Sequence, residues 1–198
     1  MLQILAPLDI LYGNCGHTVE ATNVLCMRFE AELPDLGCFT ELVPSCLPAT
    51  FEGDAVRKHI STVPRDAGVL SRDSDSFIFT ALYRASQHYV AIQAKWCNLK
   101  LLIIVAYLSP TPSVLSNNQY VELVQELTVM CTQVPPDALA ILLGDFNAYH
   151  PNWSNETCRN SRKRTKGDVL KYHTEKAGLM VVNSGQPNCF RGMTETSL

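Results

Sequence analysis

The sequence predicts a layered α/β protein, and three observations lead there. Runs of large apolar residues at Lys100–Tyr107 and Ala140–Leu143 have the length and composition of buried strands, and segments with apolar residues at helical spacing alternate with them. Four strand candidates close on polar residues, at Asn14, Glu41, Tyr107 and Asp145/Asn147, and in layered proteins strand ends are where sites assemble. At 198 residues, with 46% hydrophobic and 18% charged content, the chain suits one globular domain, and no repeat, low-complexity tract or linker marks a second. A net charge of −3 and a pI near 5.9 exclude the global basic footprint of many nucleic-acid binders, so any such surface must be local. The opening Met1–Pro7 lacks a basic region and is broken by Pro7 and Asp9, so it reads as neither signal peptide nor membrane anchor. The expectation is an intracellular protein with no membrane partner. Eight cysteines, at 15, 26, 38, 46, 97, 131, 158 and 189, form no Cys-x-x-Cys pair and lie partly in apolar segments, which fits buried thiols better than a zinc site or disulfides.

Taken in order, Asp9–Asn14 reads as a first strand. Leu25, Phe29 and Leu33 recur every four residues behind Thr22 and Asn23, which predicts a capped amphipathic helix over 22–33, stopped by Pro34-Asp35. Leu36–Glu41 is a second strand finishing on a carboxylate. Residues 47–76 carry Gly53, Pro64 and Gly68 as breakers and are read as loops with a short strand at most. Ser76–Leu82 and His88–Ala94 are strands that pair. Lys100–Tyr107 is a fully buried strand ended by Ser109-Pro-Thr-Pro112. Ser116 and Gln119 have capping-box form and open a helix whose apolar face is Tyr120, Val124, Leu127 and Met130 or Cys131, ending before Pro135-Pro136. Ile141–Leu143 has the composition of a strand buried on both faces, and Gly144 marks its turn. Beyond it, Arg159–Lys166 holds five basic residues in eight, followed by a helix from about Gly167 to Ala177 and a strand over 179–183.

On an extended chain successive side chains point to opposite sides, so Asp145 and Asn147 would project together while Phe146 turns inward. That sets a carboxylate and an amide side by side at a strand end; a bare Asp-x-Asn is equally a polar turn. The longer string Gly144-Asp-Phe-Asn-Ala148, with His150 and Trp153 after it, resembles the signature of the endonuclease/exonuclease/phosphatase superfamily, and within it the endonuclease domains of non-LTR retrotransposons. A weaker likeness runs through the strand ending in Asn14, the helix, and the Pro34-Asp35 strand ending in Glu41, although Gly13-Asn14-Cys15 and Thr40-Glu41-Leu42 replace the family's usual Trp-Asn and Gln-Glu-Thr surroundings.

The resemblance implies a four-layer α-β-β-α sandwich of two mixed sheets and an Mg²⁺-dependent DNA endonuclease, with Mn²⁺ as the alternative ion, that nicks target DNA to prime reverse transcription. It implies that Asp145 serves the attacking water, that Asn147 and Tyr107 reach the phosphate, and that Glu41 and Asn14 are the metal ligands. Mg²⁺ takes one or two carboxylates with water and phosphate oxygens, which such a pair would supply. The alternative for Asn14 and Glu41 is a polar residue at a strand end, and for Tyr107 an interface tyrosine with its hydroxyl in water. DNA is the implied partner, a reverse transcriptase domain encoded downstream is expected, and a nuclear location follows by analogy. Arg159, Arg162, Lys163, Arg164 and Lys166 form the one dense positive run and read either as a DNA-backbone clamp or as a solvated loop. His150 and Trp153 read as a wall of the DNA side of the site or as packing that holds the turn. A phosphatase or phospholipid phosphodiesterase of the same superfamily is disfavoured by the His-x-x-Trp tail.

The family continues into a Ser-x-Ile-Asp strand and a closing Ser-Asp-His, and none of the histidines at 17, 59, 88, 150 and 173 has that context. The expectation is a single domain over 1–198 that lacks its last strand or strands, with impaired turnover. A catalytically inactive remnant that keeps the fold and weak nucleic-acid binding is the rival reading.

Overall fold

The computed structural model describes residues 7–47, 56–62, 66–153, 159–182, 189–191 and 194–196. The chain divides into two compact units, Met1–Tyr107 with Val134–Gly144, and Leu108–Gln133 with Asp145–Leu198.

The first unit begins with β1 (Ile10–Asn14), α1 (Val19–Glu32) and β2 (Leu36–Thr40), the strand–helix–strand order the sequence predicts. The helix starts three residues early because its cap is Thr18, whose hydroxyl accepts from the Ala21 N–H, and not Thr22. Thr22 is buried instead, its hydroxyl donating to the Thr18 carbonyl and accepting from the Val43 N–H. Leu33, expected on the apolar face, is the exposed left-handed residue at the helix end, and Cys26 takes its place in the core.

The stretch 47–76 holds two strands, not one at most: β3 (Val56–Ile60) and β4 (Ala67–Arg72). β3 is the edge of a mixed sheet ordered β1-β2-β4-β3, with β1 parallel to β2 and the other pairs antiparallel. An edge strand half in water carries Arg57, Lys58 and His59, so no apolar run betrays it. The second sheet runs β5 (Phe77–Ala85), β6 (Tyr89–Trp96), β7 (Leu99–Tyr107) and β8 (Ala138–Asp145), antiparallel over its first three strands. β7 is buried over its last seven residues, as its composition predicts. β8 is not: Ile141–Leu143 are half-buried, because β8 ends the sheet order and has a neighbour on one side only.

Period-two alternation sorts the side chains. Leu36, Cys38, Ala67 and Val69 from the first sheet meet Phe77, Val90, Ile92, Leu101, Ile103 and Val105 from the second in one dry core, joined by Ile141 and Leu143. On the other face of the first sheet, Leu11, Phe39 and Leu70 pack with Phe29 and Cys26 of α1. The result is an α/β sandwich of two sheets. Cys15, Cys26, Cys38 and Cys131 are buried thiols, and Cys46 and Cys97 are free and half-buried; burial pushes Cys15, Cys26 and Cys131 up to about 11 and Cys38 up to about 12.

The second unit contains α2 (Asn117–Thr132), opened by the expected capping box of Ser116 and Gln119 and burying Tyr120, Val124, Leu127, Met130 and Cys131. α3 (Ser161–Lys176) packs on α2. It begins six residues before the expected Gly167, because Asn160 caps it by accepting from the Arg162 and Lys163 N–H groups. The basic run is thus mostly the first turns of a helix. Over Leu179–Val182 no strand forms; Leu179 N–H donates back to Thr174, and Met180 and Val182 stay exposed, since an apolar run with no strand beside it has no ladder to join. Asn183 lies outside the described residues. β9 (Cys189–Arg191) and β10 (Thr194–Thr196) form an antiparallel pair. No helix among the described residues is long and apolar enough to cross a membrane.

Gly144 has φ +147, and a Cβ there would sit 1.9 Å from the Ala106 carbonyl oxygen, so only glycine lets β8 lie this close to β7 immediately before Asp145. Gly144→Ala is expected to cost about 2 kcal/mol or more, against a few tenths at the open surface. Urea unfolding of the two proteins checks it, and an unchanged midpoint would contradict the close approach.

Candidate functional site

In the first unit the strand ends bring Asn14, Glu41 and Tyr107 into one neighbourhood. The parallel register sets Asn14 opposite Thr40, so Glu41 follows directly. Glu41 is turned by a positive φ of 49°, its N–H donating to the Asp66 carbonyl at 2.7 Å and its carbonyl accepting from the His17 N–H at 2.7 Å. Its carboxylate Oε1 accepts from the Tyr107 hydroxyl at 2.6 Å, with His17 Nε2 at 3.6 Å. The His17 ring meets the Tyr107 ring edge-on, with centroids 6.0 Å apart. The Asn14 side-chain oxygen accepts from the Gly16 N–H at 2.8 Å, folding the 14–17 segment around it.

Three residues here escaped the sequence reading: His17, Asp66 and His88. Asp66, 7% exposed, precedes Ala67, the partner of Thr40, and so stands beside Glu41. Burial raises its carboxyl above the usual range, the Glu41 charge adds to the rise, and His17 and His88 oppose it. His88, whose carbonyl accepts from the Tyr107 N–H, is held below the ordinary histidine value by burial. No signal in the sequence points to Asp66, because its place depends on the pairing of β2 with β4. Among the described residues no group of three or more His, Cys, Asp or Glu could hold a metal. The donor set of one carboxylate and an amide oxygen suits a hard cation that keeps waters and substrate oxygens, and does not suit a closed protein cage.

In the second unit Asp145 and Asn147 are brought together, by a different device from the extended alternation the sequence suggests. Asp145, 6% exposed, accepts on Oδ1 from the Asn147 N–H at 2.9 Å, and Asn147 has φ +47. The segment is a side-chain-closed turn, which Asp and Asn favour because their short polar side chains replace a backbone acceptor and tolerate the left-handed region. The Leu108 N–H donates to the Asp145 carbonyl at 2.9 Å, and Asn147 Nδ2 donates to the Leu108 carbonyl at 3.2 Å. Tyr120, 1% exposed, donates to the Phe146 carbonyl at 3.2 Å, and burial together with the Asp145 charge pushes its phenol upward.

His150 and Trp153 sit on the turn that follows. Their rings are 5.1 Å apart, His150 Nδ1 accepts from the Asn152 N–H, Trp153 Nε1 reaches the Ala148 carbonyl at 3.4 Å, and His150 Nε2 is 3.9 Å from Asp168. Of the basic run, Arg159 and Arg164 are exposed and Arg162 and Lys163 half-buried, whereas Lys166 is 4% exposed with Nζ donating to the Ser109 carbonyl at 3.1 Å. Among the described residues five that are not glycine have positive φ, and three of them are His17, Glu41 and Asn147, so backbone strain gathers where the candidate groups are.

Residues 101–197 match the family described as Endonuclease-reverse transcriptase. Among solved structures, the chain is similar to the endonuclease domain of TRAS1, a telomere-specific non-LTR retrotransposon, with a TM-score of 0.68 and 19% identity over 92% of this chain and 78% of that one. It is also similar to a humanized D. rerio TDP2, with a TM-score of 0.60 and 15% identity over 88% and 68% of the two chains. An AP endonuclease from Archaeoglobus fulgidus matches with a TM-score of 0.57 and 16% identity over 86% and 71%. No curated protein matches the sequence.

The Tyr107–Glu41 bond is a charge-assisted hydrogen bond at a site where the carboxylate keeps some contact with water. Tyr107→Phe is expected to lose about 1–2 kcal/mol of stability at neutral pH. The loss should vanish in a Glu41→Ala background, and a full loss persisting there, read by urea titration, would show that the phenol is held by something else.

Proposed function

We propose, from the match of residues 101–197 to the endonuclease–reverse transcriptase family and the likeness of the fold to the TRAS1 endonuclease domain, that this chain is a divalent-cation-dependent DNA endonuclease of the endonuclease/exonuclease/phosphatase superfamily that nicks target DNA by phosphodiester hydrolysis. The observation that carries the reading is the turn in which Asp145 is buried, fixed by the Asn147 N–H and placed beside an amide side chain. A carboxylate so held has its orientation set before substrate arrives, the condition for taking a proton from an attacking water. An amide carries two N–H groups, and the bond from Asn147 to Leu108 uses one, so the other is suited to a phosphate oxygen. Such a donor is worth about 3–4 kcal/mol as charge builds on the phosphate.

Glu41 and Asn14 are the proposed ligands of Mg²⁺, or of Mn²⁺ in its stead, which when bound supplies Lewis-acid stabilisation of the phosphate. Tyr107 has one hydroxyl proton, and Glu41 holds it. Its role at the phosphate therefore requires Glu41 to release it. His17 Nε2 lies 3.6 Å from the Glu41 carboxylate, and the Asp66 carbonyl holds the Glu41 N–H.

DNA contacts are assigned to Arg159, Arg162, Lys163 and Arg164, with His150 and Trp153 shaping the approach. The first turn of α3 has no acidic residue, so cations stack where the helix dipole is already positive. That arrangement costs stability unless an anion meets it, and a DNA backbone supplies one. The family's name links the activity to reverse transcription, and a reverse transcriptase on the same polypeptide together with a nuclear place of action are parts of the same proposal. A second reading is that the chain is a catalytically inactive remnant. On that reading the fold and weak DNA binding persist without turnover.

Two measurements test these readings. Supercoiled plasmid should be nicked in the presence of Mg²⁺, and Asp145→Ala or Glu41→Ala should lower the nicking about 10²-fold or more. Nicking unchanged by Asp145→Ala would sink the assignment, and DNA binding with no nicking at any Mg²⁺ or Mn²⁺ concentration would select the second reading. Replacing Arg159, Arg162 and Arg164 with Gln should weaken DNA affinity and flatten its salt dependence by about 0.9 units of slope per lost phosphate contact, whereas an unaltered slope would remove these residues from the interface.

A further inference from the structure

Of the five residues in the basic run, Lys166 behaves unlike the rest. It is 4% exposed, its Nζ donates to the Ser109 carbonyl at 3.1 Å, and it lies 4.6 Å from the centre of the Tyr120 ring. Burying a lysine against a neutral carbonyl is costly: burial, with Arg162 and Lys163 adding to it and Asp145 opposing, brings its ammonium down to about 8. Hydrophobic packing at this spot would be cheaper, so the position calls for a reason other than stability.

The reason lies in what Ser109 is attached to. The adjoining Leu108 donates its N–H to the Asp145 carbonyl and accepts on its own carbonyl from Asn147 Nδ2. One residue of this two-residue segment is therefore tied to α3 and the other to both polar residues of the turn. Tyr120, whose face carries Lys166, fixes the middle of the same turn by donating to the Phe146 carbonyl. Its far end is tied as well, by the Tyr149 N–H donating to the Lys163 carbonyl at 2.9 Å. A Cβ at Gly167 would stand 1.8 Å from the Tyr149 carbonyl oxygen, so only glycine lets α3 press its backbone on the segment leaving the turn. The left-handed Asn147, a conformation its short side chain tolerates, is held in place by these contacts from α2, α3 and the 108–109 segment.

We propose that Lys166 is a positioning residue, and that with Tyr120 and the Lys163–Gly167 turn of α3 it forms a brace holding Asp145, Phe146 and Asn147 in their working shape and makes no contact with DNA. The proposal rests on the nuclease reading for what the turn does, but the brace is a property of the fold that can be measured without turnover. A displacement of about 1 Å at a reacting group is enough to cost about 10²-fold in rate.

The test uses Lys166→Met, which keeps the stem and removes the donor, and Tyr120→Phe as a second variant that keeps the ring and removes the hydroxyl. Amide hydrogen exchange at Leu108, Asn147 and Tyr149 should quicken about tenfold or more in both variants, with β5–β7 unaffected. Nicking should fall about 10–100-fold in kcat, with the affinity for a DNA duplex and its salt slope unchanged. Unaltered exchange at those three amides would overturn the brace, as would a salt slope reduced by one contact, which would make Lys166 a phosphate ligand. Should Lys166→Met fail to fold, Tyr120→Phe decides alone. If the parent protein binds DNA without nicking it while the three amides still loosen, the nuclease reading fails and the brace stands.

Discussion

The seam between the two sheets is the constraint on which the polar chemistry depends. Leu36, Cys38, Ala67 and Val69 occupy one side, and Val90, Ile92, Leu101, Ile103 and Val105 the other, all essentially excluded from water. The pleat then decides which residue leaves the seam where each strand runs out. A slip of one residue in β2 would exchange Cys38 with Phe39 and turn the Glu41 segment away from Asp66. The carboxylate is placed by apolar residues that have no part in its chemistry, and their register carries more positional information than any hydrogen bond the carboxylate makes.

Much of the layering was legible in the sequence because it is written in short-range pattern. The β7 run, the paired β5 and β6, and the capping box of α2 with its apolar stripe are signals contained within a dozen residues. Illegible parts depend on residues distant along the chain. β3 has no apolar alternation to announce it, since one side of an edge strand needs none. The cap of α1 shifted from Thr22 to Thr18 because Thr22 is wanted elsewhere, by the Val43 N–H. For the candidate groups the identity of Asp145 and Asn147 could be read, but not the side-chain closure of their turn. Asp66 and the inward course of Lys166 were invisible, since each is defined by a strand or segment far away in sequence.

The two neighbourhoods solve the problem of holding a charge in opposite ways. Glu41 stays in contact with water, and its partners are a phenol and an imidazole. Asp145 is withdrawn and bonded to backbone on its own turn, a contact that moves only if the main chain moves. The first suits a group that must exchange ligands, and the second a group whose direction must not vary.

The cysteines give the molecule a memory of having unfolded. In the folded state Cys15, Cys26, Cys38 and Cys131 are shielded, and their thiols are held far from the thiolate form by burial, so oxidants and metals find little to react with. Unfolding returns every one of them to an ordinary thiol in water at once. A chain that opens under oxidising conditions then acquires cross-links incompatible with the sheet seam through which Cys38 runs. Excursions that are reversible in a reducing compartment become a one-way ratchet outside it, and the lifetime of the protein there is set by how often it opens.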